Sequence, residues 1–482
     1  MATRGIVAPT LVRGRLNRFR ERPWGLIHTD PRTDRTSTGH CRSIGESIIR
    51  SSVGPVSDDT ENGFASRTSC SPLHRSKYRT NERISPAMTG ALDGITIADF
   101  TTAHQGPWAT QKLGEMGAEV LKIERPGGEW SRELTTGGGH DINGMSPFWL
   151  SANRNKRSIT LDLKADVGHE VVTDIVERAD VVVENFRPGV MDRLNLDYES
   201  VREINPEIVY VSASGFGSDG PHADRPGQDL LMQAVSGITT SVGRKGDPPT
   251  AVPFPVIDGH SAMQIVSNTL AALFHQERTG EGQKVEINLL NSAIDSQCQA
   301  FTIELNVEHD YERSDEGIAQ KYSDAPYGLY ETADGHVAIA MTPMEPLAGV
   351  LELPDLADHG SPETYTKRDE IKRTIEDRTR ERETDDLLDE LLAEDIWAAR
   401  VNDFEGAAAD PQVEHNDIIV EVDHPNGGTY HTTGTPGSLS KSPSEIQRRP
   451  PAAGEHTEAI LHEHGYDDAR IRSLAERGVT ER

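Results

Sequence analysis

From Gly94 onward the apolar positions fall into short continuous runs, separated by stretches in which they recur with a helical period. Ile95–Phe100, Ala118–Glu124, Ser158–Leu163, Asp180–Phe186 and Glu207–Gly215 read as strands, the fourth containing three consecutive valines. Pro107–Met116 and Asp166–Ala179 read as helices between them. A longer helical pattern runs from about Gly259 to Gln276, followed by Gly280-Glu-Gly-Gln283 and a strand over Lys284–Leu290. Strands apolar on both faces and alternating with helices predict an α/β fold, a parallel sheet covered by helices on both sides.

Past about Asn306 the pattern changes to charged helices, with an antiparallel segment from Tyr327 to Met341 around the turn Ala333-Asp-Gly-His336. This predicts a smaller second domain, in which the charged run Lys367–Glu383 forms a solvated helix face. The first 87 residues have neither period and are rich in Arg, Ser and Thr. They are expected to be disordered or non-native, with Met88 as the true start.

Charge separates the same two parts. Met1 to Ala87 hold 15 Lys and Arg against 8 Asp and Glu, a balance of +7 that leaves −36 for the rest of a chain whose total is −29. Such an acidic body suits high salt and is repelled by nucleic acid and anionic membranes, so neither is an expected partner. No stretch approaches the length of apolar chain that a membrane span needs. Of three cysteines only Cys298 lies in the body, which excludes a disulfide framework and a cysteine metal site there, so no metal is expected and the expected compartment is the cytoplasm.

Four stretches carry candidate chemistry. Asp258, in Pro255-Val-Ile-Asp-Gly-His260, falls where an extended segment meets the long helix, a place for either an N-cap or a carboxylate nucleophile. Asn153-Arg-Asn-Lys-Arg-Ser-Ile-Thr-Leu-Asp-Leu-Lys164 concentrates cations in an acidic protein, suited either to an anionic ligand or to local neutralisation. Glu184-Asn-Phe-Arg-Pro-Gly189 ends a strand at the sheet's carboxyl edge. Its Asn amide and Phe ring suit a heterocycle, or the turn is structural. Gly137-Gly-Gly139 and Ser214-Gly-Phe-Gly-Ser-Asp-Gly220 match no nucleotide-binding spacing.

Together with Gly117-Ala-Glu-Val-Leu-Lys-Ile-Glu-Arg-Pro126, Arg278-Thr-Gly-Glu-Gly-Gln283, Tyr327-Gly-Leu-Tyr-Glu-Thr-Ala-Asp-Gly335 and Gly454-Glu-His-Thr457, these stretches resemble the class III CoA-transferases. That family also contains carnitine and formyl-CoA transferases and α-methylacyl-CoA racemase. The resemblance covers Gly90 to Tyr466 and implies an interlocked homodimer with a Rossmann-like large domain and a smaller α+β domain. The implied boundaries are an extension over 1–87, the N-terminal part of the CoA-binding domain over 88–300, the small domain with linkers over 301–425, and a segment returning to the large domain over 426–482.

Carried onto matching positions, Arg125, Leu161, Lys164, Asn185, Phe186 and Arg193 would line the site for coenzyme A, a co-substrate, with no cofactor held tightly. Asp258 would attack the donor thioester, giving a mixed anhydride and then an enzyme thioester, and an acceptor carboxylate would reverse the steps. The helix dipole would keep Asp258 ionised. His104 would stabilise an oxyanion or orient the acyl group, or is a buried structural histidine. Asp229 would orient neighbouring groups. In racemases the position of Gln228 is a His able to exchange a proton, which Gln cannot do, so transfer is favoured over racemisation. A non-catalytic acyl-CoA-binding protein would not be expected to retain Asp258. The formyl-CoA transferase pattern has a run of glycines before the segment matching Tyr327, whereas Asp315–Tyr322 has only Gly317. Formyl-CoA and oxalate are therefore disfavoured, and a pair such as succinyl-CoA with mesaconate is the expected chemistry.

Overall fold

The computed structural model describes residues 90–481, so the expectations for residues 1–87 and for Met88 lie outside the described residues. Six parallel strands form the central sheet: β1 Thr96–Asp99, β2 Glu119–Glu124, β3 Lys156–Thr160, β4 Val181–Glu184, β5 Val209–Ser214 and β6 Gln283–Asn288. Their order is β3-β2-β1-β4-β5-β6, and Ala98 of β1 lies between Leu121 of β2 and Val182 of β4. Helix α1 (Gln105–Glu115) supplies Ala109 and Leu113 to one face of the sheet, while α2 (Asp166–Arg178) supplies Val171, Val172, Ile175 and Val176 to the other. After α3 (Asp229–Ser236) comes the long α4 (Val256–Thr279), whose Ala262, Ile265, Val266 and Leu273 share the core with α1. This doubly wound sheet reverses its strand order between β1 and β4, and such a reversal opens a crevice at the carboxyl ends of the two strands.

Two expectations shift. Strand β3 begins two residues before the apolar pattern suggested, because Lys156 and Ser158 are buried polar members of the sheet. Helix α4 begins at Val256, so Asp258 is its third residue and Pro255 the capping position.

A second, three-stranded sheet comprises β7 (Gly328–Glu331), β8 (His336–Ile339) and β9 (Ala398–Arg400), all antiparallel. The charged run forms helix α5 (Arg368–Thr379), but not a wholly solvated one. Ile371 and Ile375 are buried with Lys372, whose ammonium pairs with Glu376 at 3.0 Å and lies 4.2 Å from the Tyr330 ring centre. The chain then returns to the parallel sheet. Ile460 and Leu461 of α6 (Thr457–Glu463) and Ile471 and Leu474 of α7 (Asp468–Glu476) enter the core built on α2, and Asp162 N–H donates to Val479 O at 2.7 Å.

Candidate active site

The crevice is closed at its base by side chains that grip the loop after β1. Asn185, following β4, accepts the Thr102 N–H at 2.7 Å and donates to Thr102 O at 2.8 Å, bridging the two strand ends. The carbonyl and one N–H of its amide are thus engaged by backbone, and Phe186 is partly buried against the core. Ala103 follows with a left-handed φ of 67°, and its N–H donates to buried Glu129 at 3.1 Å. Asp99 accepts the Thr101 N–H at 2.8 Å, and Lys122 donates to Thr101 O. Strained backbone held from several sides is characteristic of functional loops.

That loop delivers His104 to the start of α1, its ring 5.1 Å from the Trp108 ring. Burial lowers the His104 pKa, against the opposing pull of Asp229, so the imidazole is neutral near pH 7. Asp258 approaches from α4, and the two helices are joined by a buried hydrogen bond from Gln105 Nε2 to Ser261 Oγ at 2.6 Å.

Asp229 caps α4 from outside. One of its oxygens accepts the N–H groups of Ile257 at 2.7 Å and Asp258 at 2.9 Å, and the other accepts Gln233 Nε2 at 2.6 Å. Gly215 and Gly227 make this possible. A Cβ on Gly215 would lie 2.5 Å from the Gly227 Cα, so only glycines let the segment carrying Gln228 and Asp229 cross so close to the end of β5. Gln228 itself is exposed. The expectation that the helix start keeps Asp258 ionised is corrected, since the donors are taken by Asp229. Burial and the Asp229 charge raise the Asp258 pKa to about 7.

The cationic stretch does not form an open positive patch. Arg154 is buried and pairs with Glu115 at 2.6 Å, Lys156 is buried and pairs with Asp99 at 3.0 Å, and Arg157 bridges Glu119 and Glu463. Burial pushes Asp99 up, but Lys122, Lys156 and the hydroxyls of Thr101 and Thr110 outweigh it and bring its pKa down to about 2. Lys156 is lowered to about 8, chiefly by burial. These charges brace the floor of the crevice. Of the stretch, Lys164 alone is exposed, beyond the end of β3.

Arg125 after β2 is also exposed, with Nε donating to Gly128 O at 2.9 Å, and so is Arg193 in the short helix after β4. Leu161, 1% exposed, belongs to the core. The three exposed cations follow β2, β3 and β4 and thus share the carboxyl edge with the crevice. Sequence reasoning missed Glu129, Gln233 and Trp108. Gln233 was accessible to it, since Asp229 and Gln233 are four apart on one helix face. Glu129 and Trp108 act through contacts that only the tertiary fold creates. Among the described residues, Glu458, His462 and Asp468 form an exposed group of metal-ligand type on the C-terminal helices, and no helix is long and apolar enough to cross a membrane.

Comparison with known proteins gives matches over nearly this whole region. A family model described as CoA-transferase family III matches residues 92–457. A succinyl-CoA:mesaconate CoA-transferase of Haloarcula hispanica is 35% identical over 391 residues, covering 78% of this chain and 97% of that protein. A human succinyl-CoA:glutarate CoA-transferase is 32% identical over 398 residues, covering 81% and 90% respectively. The crystal structure of a CaiB/BaiF family protein from Brucella suis superposes with a TM-score of 0.70 at 30% identity, covering 78% of this chain and 100% of that one.

Proposed function

Since the chain belongs to CoA-transferase family III and moves CoA between an acyl-CoA donor and a carboxylic acid, we propose that Asp258 is the group that carries the acyl moiety. The observation behind this is that Asp229 accepts the backbone N–H of Asp258 and acts electrostatically on both Asp258 and His104, which the loop after β1 delivers. The ionised Asp258 oxygen attacks the thioester carbonyl and expels CoA thiolate, forming a mixed anhydride. The thiolate then attacks the Asp258 acyl carbon, releasing the first acid and leaving an enzyme thioester. An acceptor carboxylate attacks that thioester, and the returning thiolate takes its acyl group from Asp258. No ATP is consumed, because thioester and anhydride intermediates conserve the bond energy.

Neutral His104 serves as a hydrogen-bond donor to the developing oxyanion. Asp229 fixes the backbone of the nucleophile. Arg125, Lys164 and Arg193 meet the CoA phosphates, while Phe186 forms apolar backing near the adenine and Asn185 shapes the crevice through Thr102. CoA acts as a co-substrate, without a tightly bound cofactor. Both named relatives take a succinyl donor and a dicarboxylic acceptor, which supports succinyl-CoA with a C4 or C5 dicarboxylate such as mesaconate as the substrate pair here. Gln228 is exposed and cannot exchange a proton, which favours transfer over α-methylacyl-CoA racemisation.

The enzyme acts as an interlocked homodimer. Exposed Leu230, Leu231, Val235, Phe254, Met263 and Phe274 on and around α3 and α4 supply the apolar surface such a partner would cover. Its domains are the large domain over 88–300, the small domain over 301–425 and the returning segment over 426–482. The acidic, cysteine-poor body supports a cytoplasmic setting in a halophilic cell. A panel of dicarboxylic acids offered with succinyl-CoA in molar salt tests the substrate assignment, with new acyl-CoA expected for C4 or C5 acceptors. Solvent deuterium entering the α-carbon of a 2-methylacyl-CoA without an acceptor would instead identify a racemase.

A further inference from the structure

An anhydride on Asp258 is lost if water reaches it, and Asp315–Tyr322, which stands where the formyl-CoA transferase pattern has its glycine run, is tied down. Ile318 is 5% exposed and bridges Gly328, Ala319 N–H donates to Tyr327 O at 2.9 Å, and Ser314 Oγ anchors the Glu316 and Ile318 N–H groups at 3.0 and 3.1 Å. Shielding has to come from elsewhere.

The neighbour of Asp258 points to the source. Gly259 lies so close to Trp108 that a Cβ there would stand 2.8 Å from Cζ3 of the indole. The indole ring is also tilted at 43° against the His104 ring. The backbone that carries it is fixed, because the main-chain N–H of Trp108 donates to His104 O at 2.9 Å and Gln105 ties α1 to Ser261 of α4. The indole thus sits between Gly259, the chain neighbour of Asp258, and the His104 ring.

Resting on the reading of Asp258 as nucleophile, we propose that Trp108 is a fixed shield that keeps water from its acyl anhydride. Hydrolysis would add water oxygen to the acyl carbonyl and break its bond to the Asp258 oxygen. The products are a free carboxylate, regenerated Asp258 and two protons, one of which the CoA thiolate takes up. An indole over this bond excludes the water molecule while leaving room for a thiolate or carboxylate already held in the site.

The test compares CoA released from succinyl-CoA without acceptor against CoA transferred when a dicarboxylic acceptor is present, using the full chain. Trp108→Ala is expected to raise the ratio of hydrolysis to transfer by about tenfold or more, with Trp108→Phe restoring most of the protection. Gly259→Ala, which displaces the indole and leaves its chemistry intact, is expected to raise the same ratio and serves if Trp108→Ala does not fold. An unchanged ratio in these variants, with hydroxylamine still converting Asp258 to its hydroxamate, overturns the shield and leaves the nucleophile standing. Absence of an Asp258 hydroxamate in the active wild-type enzyme overturns both.

Discussion

The carboxylate of Asp229 accepts the backbone N–H of Asp258 at 2.9 Å, so one acidic residue fixes the main chain of another and also raises the cost of ionising it. The second effect makes activity depend on pH. Asp258 must be ionised to attack, and with its pKa raised to about 7 the acylation rate is expected to climb as pH increases through that value. Asp229→Asn keeps a hydrogen-bond acceptor for the helix start while removing the charge. It is expected to move the midpoint of the pH profile down by about one unit, read from kcat/KM against pH. A midpoint that stays in place would mean that Asp229 does not act on Asp258 electrostatically.

The same pKa has a consequence for stability. The folded protein holds the Asp258 proton more tightly than the unfolded chain, whose carboxyl titrates near 3.8. The stabilisation is therefore complete below about pH 4 and lost as pH rises through about 7. Asp258→Asn escapes this loss. At pH 8 it should be more stable than the wild type by about 2 kcal/mol, allowing for partial solvent access, with the gap narrowing towards pH 4 in denaturant titrations.

His104 is neutral at the working pH because burial lowers its pKa, and a neutral imidazole can still donate one hydrogen bond. His104→Ala is expected to lower kcat by about 10²-fold with little change in the KM for acyl-CoA, and His104→Gln to recover much of the loss. If alanine instead lowers only the melting temperature, the histidine is a structural packing group.

Beneath the site, Asp99 holds Lys156 at 3.0 Å and Lys122 at 3.8 Å, all three fully buried. Asp99→Asn would leave two enclosed ammonium groups without their counter-charge. A loss of about 3–5 kcal/mol in chemical unfolding is expected. A loss below about 1 kcal/mol would show that the group behaves like a surface pair.

Much of the fold was legible because strand and helix periods survive in the apolar residues: Val181-Val-Val183 could be little other than an interior strand. What misled were charges. Arg154 and Lys156 read as cations for an anionic ligand or for local neutralisation, and each is in fact buried against an acid far away in the chain, Glu115 and Asp99. A hydropathy pattern counts such residues as solvated because it cannot see their partners. The placement of Asp258 at a helix start was legible within three residues, but its cap was not. Asp229 reaches that helix from 29 positions earlier, over a glycine crossing visible only once the chain is folded. The pairing of Trp108 with Gly259 was hidden for the same reason.

The most direct test of Asp258 as the acyl carrier is to incubate the enzyme with succinyl-CoA and hydroxylamine, then map its peptides by mass spectrometry. A hydroxamate is expected on Asp258, and none in Asp258→Asn. Modification of a different residue, or none while the enzyme remains active, would contradict it.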